Sequence, residues 1–230
     1  MNIYLNLFAS LKFKPGGDMT RKLGELESLK RTCEKFKEEM VKITGENDIR
    51  SRCYDIFTDY LEYFESILTI LQDIEKEKRR NWGGKASKQI LVSLISAIEY
   101  SMRKISEMYP RSPLYYRLKM NRDCVNSKTH SLREIVYASA DVGIIDRRLK
   151  HSFENLIDIR NLLMHNNAIC YADGVKIIGD VRIEMKKYNS ISINLKNLLG
   201  IIKTAIEIFH RWNVSLANSN SKTVFTLRRL

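Results

Sequence analysis

Apolar residues recur at steps of three and four through most of this 230-residue chain, a period that commits it to helices burying one face each. Leu23, Leu26, Leu29, Cys33, Phe36 and Met40 form the first series, with Asp18 or Thr20 as the expected cap and Gly45 as the stop. Ile49, Cys53, Ile56, Tyr60, Phe64, Ile67, Leu71 and Ile74 form the second, capped by Asp48 and running out in the basic stretch Lys76 to Arg80, which suits a helix C-terminus. A third helix, about Lys85 to Tyr109, carries Leu91, Leu94, Ile95, Ile98, Met102 and Ile105, and the prolines at 110 and 113 prevent its continuation. Tyr115 to Lys128 reads as a polar, basic connection, Leu132 to Val142 as a fourth helix, and the run from Leu149 as a fifth with Asp146 as its cap. The last helix, Asn194 to Trp212, is apolar over so much of its girth (Leu198, Leu199, Ile201, Ile202, Ile206, Ile208, Phe209) that it must lie centrally or be shared with a second subunit.

Two stretches leave this period. Asn2 to Lys14 alternates and then meets Pro15-Gly16-Gly17-Asp18, which predicts an edge strand or packed arm. Ala168 to Tyr171, Val175 to Ile178, Val181 to Met185 and Ser190 to Ile193 read as short strands, with Asp173-Gly174 as a hairpin turn. Asn81-Trp82-Gly83-Gly84 is the clearest boundary, and Gly83-Gly84-Lys85-Ala86-Ser87 lacks the spacing of a phosphate loop, so it reads as a hinge. The expected organisation is mainly α. An N-terminal arm with a pair of long helices occupies 1–82, a helical domain with a small β-hairpin insertion 83–217, and a flexible tail 218–230.

A net charge of +12 and a pI near 9.5 favour polyanionic partners such as RNA, DNA or an anionic membrane surface, although excess lysine equally serves solubility. Cys33, Cys53, Cys124 and Cys170 stand far apart, and His130, His151 and His210 pair in spacing with neither cysteine nor one another. No metal site and no cofactor are expected, and the thiols read as free ones in a reducing cytoplasm. Asp55, Asp59, Glu62 and Glu65 share one flank of the second helix, which reads as a solvated face. The sequence has no signal-peptide pattern at its start and no apolar run of bilayer-spanning length, so no membrane role is expected. Arg117, Lys119 and Arg122, with Tyr115 and Tyr116 beside them, are candidate RNA contacts through phosphate and stacking; a plain polar loop is the alternative.

The seam of the fifth helix runs Leu149, Phe153, Leu156, Arg160, Leu163. A guanidinium stays charged, so on that seam Arg160 must meet an anion, a polar pocket or a second subunit. Asn161 and His165 are four apart on the neighbouring face, with Asp158 three residues before Asn161. Imidazole and guanidinium supply the two things that metal-free RNA cleavage needs: proton transfer near neutral pH, and neutralisation of the charge that builds on the phosphorane oxygens. The competing account is structural, with an arginine that anchors the helix and a histidine that complements its C-terminal dipole. Glu99 can assist at the site, but it also lies four residues before Arg103, the spacing of a helix-surface ion pair.

Arg160-Asn161-x-x-x-His165, preceded by Leu156-Ile157-Asp158-Ile159 and closing a long helix, resembles the signature of the HEPN superfamily. The resemblance covers roughly Lys85 to Trp212 and takes in Ala97-Ile98-Glu99, Leu132-Arg133-Glu134-Ile135 and Gly143-Ile144-Ile145 in the same order of elements. It implies a four-helix bundle and a metal-independent endoribonuclease of a defence or toxin–antitoxin system. Arg160 and His165 would be catalytic, Asn161, Glu99 and Asp158 supporting, and two copies of the motif would meet in a homodimer with a composite active site. The resemblance also admits a non-catalytic nucleotide- or RNA-binding or antitoxin-like partner, and a structural subunit. HEPN toxins paired with nucleotidyltransferases carry Tyr two residues after the histidine, where this chain has Asn167.

Overall fold

The computed structural model describes residues 17–73, 76–110, 112–125, 130–165, 169–191 and 193–227. Seven helices and one hairpin occupy them: α1 Gly17–Thr44, α2 Ile49–Asp73, α3 Lys76–Met108, α4 Pro113–Val125, α5 Leu132–Asp141, α6 Arg147–His165, β1 Gly174–Ile178, β2 Val181–Met185 and α7 Leu195–Leu227. The protein is mainly helical with a small antiparallel sheet, as its period requires. The expected arm before Lys14 lies outside the described residues.

Several helix ends follow from local chemistry. Asp48 accepts from Arg50 N at 2.8 Å and caps α2, while Asp146 accepts from Leu149 N at 2.7 Å and caps α6. Ser131 and Glu134 form a reciprocal capping box on α5. Gly45, at φ +95°, ends α1 with its N–H on Val41 O.

Other ends correct the sequence reading. α1 begins at Gly17, so Asp18 and Thr20 lie inside it and are not caps. The basic run Lys76 to Arg80 opens α3 and does not close α2, and Gly83-Gly84 is helical where a hinge was expected. Each glycine costs a helix about 1 kcal/mol. That cost is small beside the burial of Ile90, Leu91, Leu94, Ile95, Ile98, Met102 and Ile105 further along α3. Tyr115 to Val125 belongs to α4, not to a connection. Its start signal is Ser112-Pro113: Ser112 Oγ accepts from Tyr115 N at 3.1 Å, and proline occupies the first helical position. α7 continues past Trp212 to Leu227, through most of the expected tail.

The hairpin turns at Gly179-Asp180, between Ile178 and its partner Val181. Gly174, the expected turn residue, is the first residue of β1 and faces Met185. Gly179 supplies the positive φ, +57°, that a two-residue turn needs. The described residues of the two outer expected strands, 169–171 and 190, 191 and 193, do not extend the sheet; they contribute a single bridge, Ile169 to Ser190. The hairpin packs on α6 through β1 and on α7 through β2.

α1 and α2 pack on each other, α2 also on α3, and α1 also on α7. α3 and α6 pack on α7, whose Leu198, Ile201, Ile202, Ala205, Phe209 and Trp212 are fully buried, while α5 packs on α3 and α6, and α4 on α3 and α5. The apolar girth of the last helix is thus consumed within the chain. Trp212 Nε1 donates to Ser139 Oγ at 2.9 Å, and Asn213 Nδ2 donates to Arg50 O at 2.8 Å, so polar bonds fix α7 against α5 and α2. Asp55 and Glu65 are not merely solvated: they pair with Lys37 and Lys30 across the α1–α2 contact at 2.6 and 2.5 Å. Cys33, Cys53 and Cys170 are free and buried, and burial pushes the Cys33 thiol up to about 12.

Candidate functional site

α6 carries the site and is tied to its neighbours by successive polar side chains. Asn155, buried, donates from Nδ2 to Ile177 O at 2.9 Å and holds β1. One turn on, Asp158 accepts from Arg133 of α5 at 2.8 Å and from Lys176 of β1 at 2.6 Å. Arg160 then reaches α3, where its Nη1 donates to Glu99 Oε2. Leu149, Phe153, Leu156 and Leu163 are buried beside it, so Arg160 does occupy the apolar seam.

The anion that a seam arginine requires is therefore Glu99, in the same chain. Their side chains are 17% and 20% exposed, a partly desolvated pair. Glu99 uses its other oxygen to accept from Leu132 N at 3.0 Å, completing the N-terminus of α5. The expected alternative, a surface pair between Glu99 and Arg103, is replaced by this bridge joining α3, α5 and α6. Asn161 Oδ1 accepts from Arg160 Nε at 3.3 Å and from Nη2 at 3.2 Å, which fixes the plane of the guanidinium. Three of the five N–H donors of arginine are so used, leaving two.

His165 is the last residue of α6, four residues beyond Asn161 and five beyond Arg160. Its preceding neighbour Met164 is 51% exposed. The helix backbone thus brings Arg160, Asn161 and His165 to one end of α6, with Asp158 a turn earlier, engaged by two cations. The three RNA-contact candidates part company. Arg117 is paired with Asp141 at 2.7 Å, Lys119 is exposed at a cleft beside α3, and the side chain of Arg122 lies outside the described residues.

Two of the remaining histidines, His151 and His210, belong to other surroundings. His151 sits beside Glu154 at 3.5 Å near the start of α6. His210 is buried on α7, stacked on Phe36 at 3.8 Å, with Tyr54 Oη 2.7 Å from Nδ1 and Glu39 3.2 Å from Nε2. Burial lowers its pKa against an opposing pull from Glu39. Sequence spacing gave no hint of this network, because its members come from α1, α2 and α7. Among the described residues no group of three or more His, Cys, Asp or Glu side chains is arranged to hold a metal ion. No helix among them is long and apolar enough to cross a membrane. No family model matches the chain, and neither the curated proteins nor the solved structures give a match.

Proposed function

We propose that the chain is a HEPN-like endoribonuclease, cytoplasmic and acting in a defence or toxin–antitoxin setting, that cleaves single-stranded RNA without a metal ion. Arg160 and His165 are its catalytic pair and Asn161 orients the guanidinium. The observation that carries this reading is the state of Arg160: partly buried, fixed on two sides by Glu99 and Asn161, and left with two N–H donors at the helix end that bears His165. A cation held in that way costs little reorganisation when charge develops on a phosphate. Support for the four-helix arrangement comes from α3, α5, α6 and α7 packing together with the hairpin between α6 and α7.

In this mechanism Arg160 binds the scissile phosphate through its remaining fork. The ribose 2′-oxygen attacks phosphorus as its proton leaves, and the P–O5′ bond breaks as the 5′-oxygen takes up a proton, with His165 serving one of these transfers. The products are a 2′,3′-cyclic phosphate and a 5′-hydroxyl. A homodimer with a composite site belongs to the same proposal. Exposed Met164 on α6 and Val175 and Ile177 on β1 support a second copy docking on this side.

The Glu99 pair favours a second reading, in which Arg160 is an internal anchor. The chain is then a non-catalytic nucleotide- or RNA-binding or antitoxin-like partner. The test is incubation of purified protein with mixed single-stranded RNA in excess EDTA, with fragment ends read by mass spectrometry. Cyclic phosphate ends are expected, with a loss of about 10²–10⁴ in rate in folded Arg160→Ala and His165→Ala. Terminal 3′-hydroxyls, a strict magnesium requirement, or full activity in either variant overturn the mechanism.

A further inference from the structure

One turn beyond Glu99 on α3, Arg103 lines a cleft that α4 and the start of α5 close. Tyr115, Lys119 and His130 line it with Arg103 over the buried side chains of Leu118 and Ile135, and it measures about 420 Å³ counting its open mouth. This place is distinct from the Arg160 site, although it lies only about 6 Å further along α3 at 1.5 Å of rise per residue.

Three features of the cleft ask for an anion. Glu99, four residues before Arg103, gives its two oxygens to Arg160 and to Leu132 N, and Glu107, four residues after and itself in the cleft wall, is paired with Lys104 at 3.5 Å. Neither Arg103 nor Lys119 is in an ion pair with a carboxylate among the described residues, whereas neighbouring Arg117 is held by Asp141. His130 Nδ1 is buried with no hydrogen-bond partner among the described residues. A buried polar atom of this kind is unfavourable unless something in the cleft bonds it. The cleft also has an aromatic wall. Tyr115 stands edge-on to Tyr116, ring centroids 6.1 Å apart, which steadies its face for a planar group.

We propose that this cleft binds the phosphate of a nucleotide, with Arg103 and Lys119 contacting its oxygens. His130, in its Nδ1–H form, donates to a third oxygen, and Tyr115 stacks on the base. The phosphate belongs either to a free nucleotide or to one residue of a strand. The proposal does not require Arg160 and His165 to be catalytic, and its test reads binding without cleavage.

Isothermal titration of the full chain with AMP, inorganic phosphate and a short 2′-deoxy strand, which cannot undergo 2′-OH attack, decides it. AMP is expected to bind, with Arg103→Gln and Lys119→Gln each weakening it by about tenfold. Tyr115→Ala is expected to weaken AMP but not phosphate. A strand that binds more tightly than AMP and loses affinity in the same variants identifies the source as a polynucleotide; equal binding identifies a free nucleotide. Lys119 is exposed, so Lys119→Gln keeps the fold, and circular dichroism checks Arg103→Gln. Absence of AMP binding at millimolar concentration overturns the proposal. So does unchanged affinity in both charge variants, or a preference for an acidic peptide over any nucleotide.

Discussion

Removing Glu99 tests whether the polar end of α6 is held as described. Glu99→Ala takes away the carboxylate paired with Arg160 and the acceptor for Leu132 N in one step. At 17% and 20% exposure the pair falls between surface bridges, worth about 0–1 kcal/mol, and buried ones, whose breaking costs about 3–5 kcal/mol. The lost bond at the start of α5 adds about 1 kcal/mol. The expected destabilisation is therefore about 2–4 kcal/mol, a fall in Tm of roughly 5–15 °C for a chain of this size. Glu99→Gln keeps one carbonyl acceptor but sets an NH2 donor against the other N–H, so it loses the charge and one of the two bonds and should cost about 1–3 kcal/mol. Urea unfolding of wild type, Glu99→Ala, Arg160→Met and the double variant gives the coupling between positions 99 and 160, expected at about 1–3 kcal/mol. A Glu99→Ala variant within about 0.5 kcal/mol of wild type, or a coupling indistinguishable from zero, would refute the bridge.

Two further outcomes follow from the scaffold. Gly179→Ala places a Cβ 2.2 Å from Thr204 Oγ1 at a residue with φ +57°, so it should cost about 1–3 kcal/mol by thermal melting, and a neutral result would mean that the hairpin does not dock on α7 there. Burial lowers the pKa of His210 below its ordinary 6.5, so between those two pH values the unfolded chain binds the extra proton; stability should be complete above pH 6.5, fall as pH drops below it, and lose part of that slope in His210→Phe, a comparison that melting curves from pH 5 to 8 provide.

The fold was legible wherever one face of a helix could be read from three- and four-residue steps, as in α1, α2, α5 and α6. It was less legible where backbone chemistry set the limits. α4 has its cap and proline at Ser112-Pro113, but its exposed residues Tyr116, Lys119 and Met120 blur the apolar stripe. The choice between two glycine turns in the hairpin was settled by packing, since the turn at Gly179 lies against Thr204 and Val181 lies against Gly200. At the site, the spacing of Leu156, Arg160 and Leu163 was sufficient to find a seam arginine. Glu99 was named beside it as a supporting residue, but the pairing itself was not legible, because Glu99 is remote in sequence and equally well spaced for Arg103. The Tyr54, His210 and Asn213 network and the Arg103 cleft were hidden for the same reason: the first exists only after α2 and α7 have been brought together, the second only after α3, α4 and α5 have.

The order of attachments along α6 bears on what its end can do. Asn155 binds β1, Asp158 binds α5 and β1, and Arg160 binds α3, after which Leu162 is half-buried and Met164 is exposed. Among the described residues these polar ties all precede the last turn, where Leu163 stays buried and Met164 is exposed. An apolar pair at positions 99 and 160 would fill the seam without the cost of desolvating two charges, and such replacements are often neutral or stabilising. Stability alone therefore does not account for a guanidinium at this point. The proposed phosphate site accounts for it, because such a site needs a cation whose position is set before the ligand arrives, and the bonds from Glu99 and Asn161 set it while two donors stay available.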